Sequence, residues 1–115
     1  MSASAIVRDA VADYFELHNG RLERLAARIH AYHDLDAMAD ASSNKTLTAI
    51  FSNMADETME DVESMADFNT REALSDIRSD GILRNERKPE GDPFFWNAVY
   101  AAIMDAATER AAEME

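Results

Sequence analysis

Residues 54–68 read MADETMEDVESMADF, and the fold turns on how this stretch is wound. Wound as a helix at 100° per residue, Asp56, Glu60, Glu63 and Asp67 fall at i, i+4, i+7 and i+11, within about 60° of one another. Met54, Thr58, Val62 and Met65 then share the opposite side, the pattern of an amphipathic helix. Glu57 and Asp61 flank the acidic stripe. Six acids thus occupy eleven residue steps, about 16.5 Å of helix axis. No lysine or arginine stands between Lys45 and Arg71 to offset them. Like charges at i, i+4 disfavour a helix by a few tenths of a kcal/mol per pair, yet the stretch repeats that spacing.

Upstream, Leu47 and Phe51 continue the apolar side, which predicts a helix over about 44–67 capped by Ser42 or Ser43. Downstream, Asn69 and Glu72 have the spacing of a capping box. A short helix is expected there, with Ala73, Leu74 and Ile77 inward and Gly81 as its stop. The stretch ILRNERKPEGDP (82–93) reads as a loop and is the one locally basic segment. Its Arg84, Arg87 and Lys88 could pair with the acidic helix of the same chain or of another copy. Asp92-Pro93 has the form of a helix start, Asp as cap and Pro at the first helical position. The helix that follows carries Trp96, Val99, Tyr100, Ile103, Ala107 and Met114 on one side, with Asp105, Glu109 and Glu113 on the other. Phe94 points away from the Trp96 side.

At the N-terminal end, Val7, Val11, Tyr14, Phe15, Leu22, Leu25, Ile29 and Tyr32 lie within about a third of a helical turn. Asn19-Gly20 interrupts that run with a turn-favouring pair. The apolar phase is unbroken across it, so one helix over about Ser4–Leu35, roughly 45 Å long, is expected. A hinge at Gly20 is the alternative. No strand-like alternation and no internal repeat appear. The expected fold is therefore all-α: a single domain over residues 1–115, a bundle of three to four helices with one long N-terminal helix. Such a helix is long for a globule of 115 residues, whose expected radius of gyration is about 13–14 Å. Part of it would pack on a second copy, making a homodimer.

The composition bounds the function. The chain has 115 residues, 11 Lys+Arg against 23 Asp+Glu, a net charge of −12 and no cysteine. Residues 38–80 alone carry −7, from three basic and ten acidic side chains. The acidity is thus concentrated, although a salt-rich host would favour acidic surfaces without any binding role. Direct binding to nucleic acid or anionic lipid is disfavoured by repulsion. Without cysteine there is no disulfide framework, thiol nucleophile or Cys-based metal site. No signal-peptide pattern opens the sequence, and the longest apolar run falls far short of the ~20 residues of a membrane span. A cytoplasmic location is expected.

The nucleophile-elbow and phosphate-loop motifs are absent. Paired Glu-x-x-Glu and Glu-x-x-Asp motifs hold magnesium in all-helical nucleoside triphosphate pyrophosphohydrolases. Only the first pair has a match, at Glu57 and Glu60. Glu72 and Asp76 are one residue too far apart for the second. His18, inside the first apolar run, reads as a hydrogen-bonded core histidine. His30, His33 and Asp34 offer too few ligands for a metal centre. No cofactor and no metal is expected. Asp56, Glu57, Glu60, Asp61, Glu63 and Asp67 are the expected partner-binding residues. They would present a negative helix face to a basic protein, for instance a nucleic-acid-handling enzyme whose groove is built for phosphates. A phage or mobile-element inhibitor acting as a DNA mimic has this size and charge. The competing expectations are a carboxylate-dependent metal-binding or nucleotide-hydrolysing helical enzyme, and a structural oligomer such as a phage assembly protein.

Overall fold

The computed structural model describes residues 3–79 and 93–114. Those residues form four helices: α1 (Ala3–Leu17), α2 (Asn19–Ala41), α3 (Lys45–Ser79) and α4 (Pro93–Ala112). No strand occurs among the described residues. The all-α expectation holds, but α2 runs on to Ala41 rather than ending near Leu35, and two further helix boundaries differ.

The first difference is at His18. The N-terminal segment is two helices, not one, because His18 leaves the helical region at φ −126° and ψ 48°. The break is a single residue wide. His18 N–H still donates to the Tyr14 carbonyl (3.0 Å), and the His18 carbonyl accepts from Arg21 N–H (2.9 Å). Asn19 and Gly20, poor helix formers, begin α2, where the first backbone N–H groups need no helical partner. The apolar side was nonetheless correctly placed. Val7, Val11, Tyr14, Phe15, Leu25 and Ile29 are buried, and Leu22 and Tyr32 are half-buried. Unbroken apolar phase shows that both segments face one core; it does not show that they are coaxial. His18 is half-buried at the turn, its ring 4.8 Å from that of Tyr14, and is not a mid-helix core residue.

The second difference is at Asn69. The expected helix end near Asp67 and restart at Asn69 do not occur, and α3 runs 35 residues without interruption. The long helix of the fold is therefore α3. Residues that favour helix ends are held inside it by side-chain bonds to the preceding turn. Asn69 Nδ2 donates to the Met65 carbonyl (2.8 Å), Thr70 Oγ1 to that of Ala66 (2.7 Å), and Thr58 Oγ1 to that of Met54 (2.8 Å). The cap of α3 is Asn44, not Ser42 or Ser43. Its Oδ1 accepts from the backbone N–H of Thr46 (2.9 Å) and Leu47 (3.2 Å).

One core draws on all four helices. Leu25, Val62, Leu74, Val99 and Ile103 are fully buried, joined by Tyr14, Phe15 and Phe95. On α4, Val99, Ile103 and Ala107 are buried, while Asp105 and Glu109, and Glu113 just past its end, are exposed, as their spacing predicts. Phe94 is exposed. The side chain of Ile77, the Gly81 stop, the basic loop and the Asp92 cap lie outside the described residues. The molecule measures 57 × 26 × 22 Å, with a radius of gyration of 16.6 Å. This exceeds the ~13 Å of a compact chain of this length. At about 52 Å, α3 sets the long dimension.

Candidate acidic interface

The six acids picked out from the sequence all lie on α3, on its solvent side. Asp56, Glu57, Glu60, Asp61 and Glu63 are exposed, and Asp67 is half-buried. Behind them Ala55, Thr58, Val62 and Ala66 are buried, so the helix is pinned by its apolar side and its carboxylates have nowhere to go but outward.

The fold divides the six. Asp61 is ion-paired with Arg28, which α2 brings alongside from 33 residues away. Asp67 pairs with Arg71 one turn further on (Oδ2–Nη2 3.2 Å). Asp56, Glu57, Glu60 and Glu63 have no ion pair among the described residues. Glu63 and Asp67 border α4 closely enough to act on Tyr100. Burial pushes its hydroxyl above the usual tyrosine value, and these two carboxylates push it the same way. Four charges without an ion pair among the described residues thus span seven residue steps of α3, about 10.5 Å, one per ~2.6 Å. Duplex DNA carries one per ~1.7 Å.

The partner charges on α2 were not singled out from the sequence. Arg21, Arg24 and Arg28 lie at i, i+3 and i+7, one face of a helix, and that spacing was the available signal. Arg21 Nη1 donates to Glu72 Oε2 (2.7 Å) and to Tyr14 Oη (2.9 Å). These bonds raise the pKa of the Arg21 guanidinium. Its Cζ also lies 5.3 Å from the centre of the Phe68 ring, within cation–π range. Glu72 is thus a tertiary ion-pair partner and not the closing residue of a capping box.

Among the described residues no group of three or more His, Asp or Glu side chains is placed to hold one metal ion. His30 Nδ1 is 3.4 Å from Asp34 Oδ2, while His33 is exposed. No described helix is long and apolar enough to cross a membrane. What this arrangement offers chemically is a convex row of carboxylates, suited to long-range attraction of cations on another surface rather than to enclosing a substrate. Searches among known proteins find no matching family model, no matching curated protein and no matching solved structure.

Proposed function

We propose that this chain is a non-enzymatic interaction protein that offers the α3 row Asp56, Glu57, Glu60 and Glu63 to a basic groove on another protein. Asp61 and Asp67 form the margin of that face. The carrying observation is the division just described: the fold pairs Asp61 with Arg28 and, among the described residues, leaves the four exposed carboxylates around it without an ion pair. A groove that normally holds a phosphate backbone has the complementary charge. By occupying it the chain would act as a DNA mimic and block the true ligand, as a phage or mobile-element inhibitor of a host-defence enzyme would. Attraction of this kind speeds encounter and weakens steeply with salt.

The test is capture from a cell lysate on the immobilised chain, beside a variant with Asp56→Asn, Glu57→Gln, Glu60→Gln and Glu63→Gln. The expected result is a basic nucleic-acid-binding protein held by the parent chain, released by salt or by added duplex DNA, and not held by the variant. Capture that is equal for both chains and indifferent to salt and DNA would remove the proposal.

A further inference from the structure

The distal half of the α2–α3 hairpin is scarcely covered. From residue 30 to residue 54, Ala39 is the one buried residue. Yet this arm carries large apolar side chains in the open: Met38 (46% exposed), Leu47 (45%), Ile50 (46%) and Met54 (46%). Leu47, Ile50 and Met54 lie at i, i+3 and i+7, a single strip along α3. Exposed apolar residues are ordinary when scattered; four gathered on one arm mark a contact surface. Residues 46–55, TLTAIFSNMA, contain no ionisable side chain, in a chain where 30% of residues are charged.

We infer that this arm is a self-association surface, on which a second copy of the chain lays its own strip antiparallel about a two-fold axis. Charge selects the occupant. A basic partner is drawn to the acids that begin at Asp56, not to ten uncharged residues. Two chains of −12 each repel least where charge is sparsest, and residues 46–55 are an uncharged stretch that also exposes a strip of large apolar side chains, with the arm's acids Asp34, Asp36 and Asp40 confined to α2. The strip is also self-complementary. Leu47 precedes Ile50 by three residues and Met54 follows Phe51 by three. A two-fold axis between Ile50 and Phe51 therefore sets Leu47 of each copy against Met54 of the other, as an isologous contact requires. The elongated shape lets the arms overlap while the acidic bodies stay apart. An overlap of ten residues, about 15 Å, across two helices of ~10 Å each covers ~300 Å² per copy. A standard stable interface covers ~800 Å² per partner. The dimer is therefore a weak and reversible one. This inference does not depend on the acidic-face proposal, since it uses different residues of α3.

Sedimentation equilibrium of the full chain from micromolar to millimolar concentration tests it, beside an Ile50→Glu, Met54→Glu double variant. The expected result is a monomer–dimer equilibrium in the parent chain, with dissociation at least ~tenfold easier in the variant, a loss of about 1.4 kcal/mol. Circular dichroism should show helix content unchanged, because both positions are exposed. Added salt should tighten the dimer by screening the repulsion. A dimer held by Arg84, Arg87 and Lys88 against acidic residues would instead loosen. A second readout uses the absence of native cysteine: Ile50→Cys should form an oxidised dimer and Ala101→Cys, on exposed α4 surface, should not. A single-chain mass at every concentration, a double variant that dimerises like the parent, loosening by salt, or equal cross-linking at both positions would each overturn the inference.

Discussion

Tyr14 joins three helices through one oxygen. Its hydroxyl donates to Asn69 Oδ1 on α3 (2.7 Å) and accepts from Arg21 Nη1 on α2 (2.9 Å). Tyr14 and Asn69 are both buried, so removing the hydroxyl leaves an amide oxygen in the interior without its donor. Tyr14→Phe is expected to cost about 1–3 kcal/mol, read by urea unfolding at neutral pH. Burial also pushes the Tyr14 hydroxyl above the ordinary value of 10.0, with the Arg21 bond acting in the opposite direction. The folded state therefore holds this proton more firmly than the unfolded chain does. The corresponding stability is fully present below about pH 10 and is lost as pH rises through the folded-state value. Urea titrations across that range should show stability falling on the alkaline side, and falling less in Tyr14→Phe. Tyr100, raised in the same direction, accounts for part of the remaining fall. A second residue-scale expectation concerns the apolar centre. Leu25 is completely buried, and Leu25→Ala should cost about 2–5 kcal/mol through lost burial and the cavity it leaves.

Apolar periodicity reveals neither the end of α1 at Leu17 nor the continuation of α3 through Asn69. The α1–α2 turn consumes one residue, so it hardly disturbs the 100° phase, and no periodicity test could see it. Gly20 lies past the turn, in the first turn of α2. A methyl group added there meets only the Arg24 guanidinium, 3.4 Å away at the end of a flexible side chain. Gly20→Ala should therefore raise stability by about 0.5–1 kcal/mol, visible as a higher melting temperature. Had the hinge been at Gly20, with a backbone open only to glycine, the same change would lower it. Asn69 was legible as a polar residue of the right type for a cap. Its actual role depends on Tyr14, 55 residues away, whose hydroxyl satisfies the amide oxygen and lets α3 continue. No local spacing carries that information.

For the molecule as a whole, charge and shape act together. Asp56, Glu57, Glu60 and Glu63 share one helix with no ion pair among the described residues, so relieving their repulsion should stabilise the fold even while it removes the proposed interaction. The variant with all four of Asp56, Glu57, Glu60 and Glu63 made neutral is expected to melt higher than the parent at low salt. The difference should be a few tenths of a kcal/mol per relieved i, i+3 or i, i+4 pair and should shrink as salt is added. A lower melting temperature would mean that these carboxylates are satisfied within the fold. The helical class, the inward side of most of each segment, and the outward aim of the acidic stripe followed from the sequence alone, because side-chain direction along a helix repeats every 3.6 residues. Leu47 and Met54, on the apolar side by spacing, are exposed because among the described residues nothing packs on that side of the distal arm. The structure decided the rest: the break at His18, the continuity of α3, and the pairing of Arg28 with Asp61, which sets that acid apart from four without an ion pair among the described residues. The continuity of α3 and the Arg28–Asp61 pair depend on groups far apart in the chain, brought within bonding distance only when the helices share one core.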